Sequence, residues 1–86
     1  MLRQHIKTTS FLKLIYLMKI LLERTDETHS ITMSEIIDAL AAYDISAERK
    51  SLYNDIENFR VYGLDVIGTQ EDRTYSYHIG NRQFEL

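Results

Sequence analysis

The stretch of sequence that decides the fold runs from residue 46 to residue 63 and reads SAERKSLYNDIENFRVYG. Its apolar residues Leu52, Ile56 and Phe59 follow one another at four and three positions, which is the spacing of one buried face on an α-helix. Gly63 comes next, and glycine most readily takes the left-handed conformation that ends helices. We therefore predict a helix over residues 47–62, with Ser46 as its N-cap.

Two further helices are predicted upstream of this stretch. The first spans residues 10–24, and its apolar residues at helical spacing form a predicted core face. The members of that face are Phe11, Leu14, Ile15, Met18, Leu21 and Leu22. Thr32 and Glu35 fit a capping box, in which a hydroxyl and a carboxylate bond the amides of the first turn. The second helix is therefore predicted over residues 33–43, and a short link of residues 44–46 joins it to the third.

After Gly63 the hydrophobic period changes from helical to alternating. Residues 74–79 place Tyr75, Tyr77 and Ile79 on one side, and the polar residues 70–73 form a turn after a short strand. We predict a two-stranded hairpin over residues 64–79. Three helices followed by such a hairpin form a mainly α domain with a small β part. The pattern is that of a winged helix-turn-helix, here one domain over residues 1–86.

The composition limits what this domain can do. The chain has 86 residues and a net charge of −3, so it cannot coat nucleic acid by bulk electrostatics, and any DNA contact needs a local patch. It has no cysteine, which excludes disulfides and cysteine metal sites and agrees with the cytoplasm, the compartment we expect. The apolar run of residues 11–22 contains two lysines and is too short to span a bilayer, so no membrane contact is expected.

The third helix offers a polar face suited to DNA. Turning Leu52 toward the core at about 100° per residue directs four residues of the first half outward. These four are Ala47, Lys50, Ser51 and Asn54. Asparagine can bond adenine through two atoms, and lysine reaches guanine or phosphate. We expect Lys50, Ser51 and Asn54 near base edges of double-stranded DNA.

A second group of residues is expected near the DNA backbone. Arg49 and Tyr53 flank the outward face of the third helix, where the helix dipole favours phosphate. Ser46 belongs to the same helix start. Thr32 and Ser34 begin the second helix and bring hydroxyls and amides to the backbone. Arg73 lies at the predicted hairpin tip, where it can enter a minor groove.

The same residues also have a plainer interpretation. An arginine-lysine pair on an amphipathic helix is usually a solvated face, and winged domains also serve as protein interaction or dimerisation modules without DNA binding. Glu48, Asp55 and Glu57 weaken the DNA interpretation, because carboxylates repel phosphate. Spacing and charge alone leave both alternatives open.

Catalysis and metal binding find no support in the sequence. His5, His29 and His78 lie far apart and have no partner at the spacing of metal ligands. No nucleophile has a general base at a recognisable distance along the chain. We therefore expect no enzyme activity, no metal and no cofactor.

Helix one carries apolar residues outside its predicted core face. Leu17 and Ile20 fall between Lys13 and Arg24 on the side expected to be polar. We predict that these four residues form an exposed interface for a homodimer or for another domain, since exposed apolar patches often mark such contacts. Coverage by the first or last residues of the chain is the alternative.

Residues 45–66 resemble the recognition-helix segment of WYL-domain transcriptional regulators. The matching features are Arg49, the run Asp55-Ile56-Glu57, Arg60, Gly63 and Asp65. Residues 13–21 and 32–37 resemble the first two helices of that family, and residues 77–86 resemble its wing exit. Winged regulators of the DeoR and biotin-repressor kinds share a looser version. Asn54 departs from the family, which often has a basic residue there, and Asn58-Phe59 replaces a common Ala-Leu pair.

The resemblance implies a biological role that the residue types and their spacing do not specify. It implies the N-terminal DNA-binding head of a bacterial transcriptional regulator, with a ligand-sensing WYL domain beginning about where residue 86 lies. A ligand would then bind to that further domain and not to the present one.

Overall fold

The computed structural model describes the backbone of residues 2–80 and the side chains of residues 11–80. Residues 81–86, the end of the predicted hairpin exit, and the side chain of His5 lie outside these ranges. Within them the chain forms three helices and three strands. In chain order these are α1 (Leu2–Arg24), β1 (Ile31–Thr32), α2 (Met33–Ala41), α3 (Arg49–Val61), β2 (Val66–Glu71) and β3 (Thr74–Ile79). The predicted mainly α architecture with a small β part is confirmed.

The capping box predicted at the start of α2 is confirmed. The Glu35 amide donates to the Thr32 hydroxyl over 3.2 Å, and the Glu35 carboxylate accepts from the Thr32 amide over 2.8 Å. The N-cap predicted for α3 is wrong. Glu48 and not Ser46 occupies that position, and its side chain makes no capping bond, so α3 begins two residues later than expected.

Both α2 and α3 end on the same hydrogen-bonding motif. Gly63, with φ +102°, follows α3, and the next amide, that of Leu64, donates back to the Phe59 carbonyl. Asp44, with φ +64°, has the same role after α2, where the Ile45 amide donates to the Leu40 carbonyl. In each case a left-handed residue is followed by a buried apolar one, the pattern of a Schellman motif. The connection between α2 and α3 spans residues 42–48 and is longer than the predicted three-residue link.

The sheet has one strand more than the predicted hairpin. Its order is β1-β3-β2, with antiparallel pairing throughout. β2 and β3 form the hairpin, and Ile31 and Thr32 of β1 pair with Tyr77 and Ser76 of β3. Because β1 leads directly into α2, this pairing fixes the start of α2 against the hairpin.

The predicted buried face of α3 is confirmed, and that of α1 is half right, because Leu21 is buried and Leu14 and Leu22 pack against the core. Leu52, Ile56 and Phe59 are all buried. On α1, by contrast, Leu17 and Ile20 are 0% and 2% exposed and belong to the core, so they form no exposed interface. Three residues of the predicted core face of α1 are exposed instead: Phe11, Ile15 and Met18.

The two charged residues of the predicted interface also point elsewhere. Lys13 faces α3, where it donates to the Ser51 hydroxyl and forms an ion pair with Asp55. Arg24 is exposed and lines a shallow concavity beside α2. Lys13, Leu17, Ile20 and Arg24 therefore form no common surface. Among the described residues no helix is both long and apolar enough to cross a membrane.

Candidate nucleic-acid interface

The starts of α2 and α3 lie side by side and are joined by a hydrogen bond. Arg49 is the first residue of α3, and its Nη2 donates to Oγ of Ser34 over 2.8 Å. Both side chains are exposed. The amides of Met33 and Ser34, in the first turn of α2, have no carbonyl acceptor within their own helix. A guanidinium and the amide end of a helix are thus presented on the same side of the molecule.

The hairpin tip brings a second arginine to this side. The turn between β2 and β3 consists of Asp72 and Arg73, flanked by the paired residues Glu71 and Thr74. Asp72 has φ +55°, a conformation that aspartate tolerates better than most residues. Arg73 is exposed.

These parts surround a concave surface of about 350 Å³, here called the α2–α3–hairpin concavity. Its lining residues are Thr32, Met33, Ser34, Arg49, Tyr53, Arg73, Thr74, Tyr75 and Tyr77. This set contains the residues that were predicted near phosphate on the second helix, on the flank of the third helix and at the hairpin tip. They are Thr32, Ser34, Arg49, Tyr53 and Arg73. The described residues that line it include two arginines and no carboxylate. Its charge therefore has the opposite sign to that of the whole chain.

The base-reading residues predicted on α3 divide into two groups. Lys50 and Asn54 are exposed on the helix face next to the concavity but outside its lining. Ser51 is half-buried and bonded to Lys13, and Ala47 is half-buried against the core. Neither of these two lies on a free outward face, so their predicted orientation is wrong. Ser46 is exposed in the connection before α3.

The rotation of α3 is fixed by contacts on both of its flanks. On one flank Lys13 of α1 lies 3.0 Å from the Asp55 carboxylate. On the other flank Nε of Arg60 donates over 2.9 Å to the carbonyl of Val66 in β2. With both sides held, the outward face of the first half of α3 is centred near Lys50 and Asn54.

Two of the carboxylates predicted to repel phosphate have cationic partners. Asp55 pairs with Lys13, and Glu57 lies 3.0 Å from Nη1 of Arg60. The Glu48 side chain makes no capping bond at the start of α3. Pairing lowers the negative potential that Asp55 and Glu57 contribute at the exposed face of α3.

Three tyrosines line the concavity: Tyr53 of α3, which was predicted there, and Tyr75 and Tyr77 of β3, which were not. Tyr77 is buried, and the rings of Tyr75 and Tyr77 meet edge to face with centroids 5.3 Å apart. The Tyr75 ring also lies across Gly68, where a Cβ would overlap its hydroxyl. Burial raises the pKa of Tyr77, and the nearby hydroxyls of Tyr53 and Tyr75 act in the same direction. Alternation predicts Tyr75 and Tyr77 on the same side of the hairpin, but Tyr75 is close to the hairpin tip and is half exposed, whereas Tyr77 is buried.

The described side chains include no group of three histidine, aspartate or glutamate residues able to hold a metal ion. No family model matches the chain, and no curated protein or solved structure matches it either.

Proposed function

We propose that the chain is a winged helix-turn-helix domain that binds double-stranded DNA. The first half of α3 would enter the major groove, and the β2–β3 hairpin would act as the wing on the DNA backbone or in the minor groove. The observation that carries the proposal is the α2–α3–hairpin concavity, where Arg49 and Arg73 meet the first turn of α2. Guanidinium groups and amides at helix N-termini are the protein groups that hold backbone phosphates.

The contacts would divide by position. Residues of the concavity would hold phosphates, with Arg49 already oriented by its bond to Ser34. Lys50 and Asn54, exposed on the adjacent face of α3, would read base edges. Asparagine suits adenine and lysine suits guanine, because each matches the atoms that those bases present in the major groove. Ser51 would not read a base edge, because its hydroxyl already accepts a hydrogen bond from Lys13.

The biological role that we propose is that of a transcriptional regulator. It rests on the resemblance of residues 45–66 to WYL-domain regulators and on the surface just described. Base contacts by Lys50 and Asn54 would determine which operator sequence such a regulator binds.

The experiment that tests the proposal is selection of bound duplexes from a random pool, followed by titration of the enriched sequence. We expect one enriched motif for the natural chain. Arg49→Ala should weaken binding to all sequences and reduce the slope of log affinity against log salt by about 1. Asn54→Ala should cost about 1–3 kcal/mol on the preferred sequence and relax the preference at one base pair.

Arg24→Ala is the matched control, because it removes one exposed arginine from α1, away from the concavity. It should leave affinity and salt slope nearly unchanged. Equal losses for Arg24→Ala and Arg49→Ala would show that charge alone, and not this surface, drives binding. Absence of any bound duplex would favour the other candidate, a protein-interaction module that has the same fold.

A further inference from the structure

An apolar stripe is exposed on the side of α1 that faces away from α3. It consists of Phe11, Ile15 and Met18, which are 63%, 45% and 36% exposed, with Leu12 beside them at 42%. Lys13, which contacts α3, lies roughly 140–160° around the helix from Phe11, Ile15 and Met18. We call Phe11, Leu12, Ile15 and Met18 the α1 stripe.

The residues that precede the α1 stripe do not fold back over it. The backbone of α1 is helical from Leu2, so those residues prolong the same helix away from the stripe. The other elements pack on the opposite side of α1, where Leu17 and Leu21 are fully buried. The stripe therefore faces outward from the described part of the chain.

We infer that the α1 stripe is the docking surface for a second copy of this chain, with α1 packed against α1. Phe11, Ile15 and Met18 are separated by four and three positions, and the half-buried Leu22 continues the series after four more. Alternating steps of four and three are the spacing of a coiled-coil seam, in which each apolar side chain enters a gap on a facing helix. The spacing thus specifies a helix as the partner, and α1 supplies one.

The area of the α1 stripe fits a small dimer. Its four side chains expose roughly 350 Å² per copy, or about 700 Å² in a pair, taking about 200 Å² for a fully exposed large side chain. The smallest stable interfaces bury about 1,200 Å², and those between identical subunits are about 65% apolar, which requires roughly 780 Å² of apolar area. The stripe alone supplies about nine tenths of this apolar area, so we expect a weak dimer.

This dimer would leave the α2–α3–hairpin concavity accessible in both copies, because α3 lies on the far side of α1. An interface between identical copies uses the same residues on each, so two α3 helices would be related by a two-fold axis. The inference does not depend on DNA binding, and its test contains no DNA.

Sedimentation velocity of the full 86-residue chain from about 1 to 300 μM tests the inference. The natural chain should shift from monomer to dimer across this range. Ile15→Glu should raise the dissociation constant at least about tenfold, because two carboxylates would be buried facing each other. Circular dichroism checks that the variant stays folded, as expected for a residue that is 45% exposed.

Val61→Glu is the matched control, since Val61 is 73% exposed on α3 and lies outside the stripe. It should dimerise like the natural chain. A natural chain that stays monomeric at the highest concentration overturns the inference, as does an Ile15→Glu variant that dimerises unchanged. Replacing both Phe84 and Leu86 by serine tests whether the last residues cover the stripe. Dimerisation that appears only in that variant would show such coverage and would also overturn the inference.

Discussion

Lys13 and Asp55 form an ion pair that holds α1 against α3 largely out of contact with water. Their charged atoms are 3.0 Å apart, and the two side chains are only 15% and 13% exposed. Removing one member of such a pair leaves the other charge poorly solvated and without its partner. We predict that Asp55→Ala lowers the free energy of unfolding by about 3 kcal/mol, measured by urea denaturation.

The double variant Lys13→Met with Asp55→Leu is the control for this ion pair. It removes both charges while keeping most of the volume, so it should recover most of the lost stability. Glu23→Ala, at an exposed position of α1, should have little effect on the free energy of unfolding. If Asp55→Ala costs no more than Glu23→Ala, the ion pair does not stabilise the fold.

Tyr77 should make the fold less stable at alkaline pH than at neutral pH. Burial raises the pKa of its hydroxyl above the usual value, so the folded chain holds this proton more tightly than the unfolded chain does. The corresponding stability is fully present below the unfolded pKa of about 10 and is lost as pH rises through the folded pKa. We therefore predict that the free energy of unfolding falls above about pH 10.

Urea denaturation at neutral and alkaline pH checks this dependence. Tyr77→Phe should show a smaller fall, because it has no hydroxyl to ionise. Tyr62→Phe is the matched control, since Tyr62 is 87% exposed, and it should behave like the natural chain. Equal falls for Tyr77→Phe and the natural chain would contradict a role for Tyr77.

At the scale of elements, α2 and α3 were predictable because their signals are local. The Thr32–Glu35 capping box lies within four consecutive residues, and Gly63 sits at the position where a left-handed residue ends α3. The buried face of α3 can also be recognised in the sequence, because polar residues separate its apolar ones. Such signals need no knowledge of distant contacts.

The orientation of α1 was not predictable from spacing. This helix has apolar residues on two sides, so its periodicity does not say which side faces the core. Contacts distant in sequence decide it, among them Lys13 with Asp55 and the Ile79 amide donating to the Thr25 hydroxyl. β1 was missed for a related reason. A strand of two residues has no period, and Ile31 and Thr32 become a strand only by pairing with β3.

The candidate site was predictable in its residue types but not in its arrangement. Arginine, serine and threonine at helix starts are recognisable as phosphate ligands. Whether they meet depends on the sheet, which links the start of α2 to the hairpin. The inward turn of Ser51 depends on Lys13, and the half-exposed position of Tyr75 depends on the missing side chain at Gly68. Neither dependence is visible within a single element.

At the scale of the whole molecule, charge sets how DNA binding should respond to salt. The chain carries a net charge of −3, so long-range attraction to DNA is absent and binding must come from local cations. The cations at or beside the concavity are Arg49, Arg73 and Lys50. Of these, Arg49 and Arg73 would neutralise phosphates while Lys50 reads a base edge. Two phosphate neutralisations correspond to a slope of log affinity against log salt of about −1.8.

We predict that affinity for the enriched duplex falls about 12-fold per domain between 50 and 200 mM salt, as that slope requires. Fluorescence anisotropy across a salt series measures the slope, and Arg73→Ala should make it shallower by about one while Arg24→Ala leaves it unchanged. A much steeper slope would mean that cations beyond Arg49 and Arg73 also neutralise phosphates. A slope near zero would mean that binding does not use phosphates, and the concavity would then have another ligand. Because the net charge opposes non-specific attraction, a measurable slope of this size ties binding to the surface that joins α2, α3 and the hairpin.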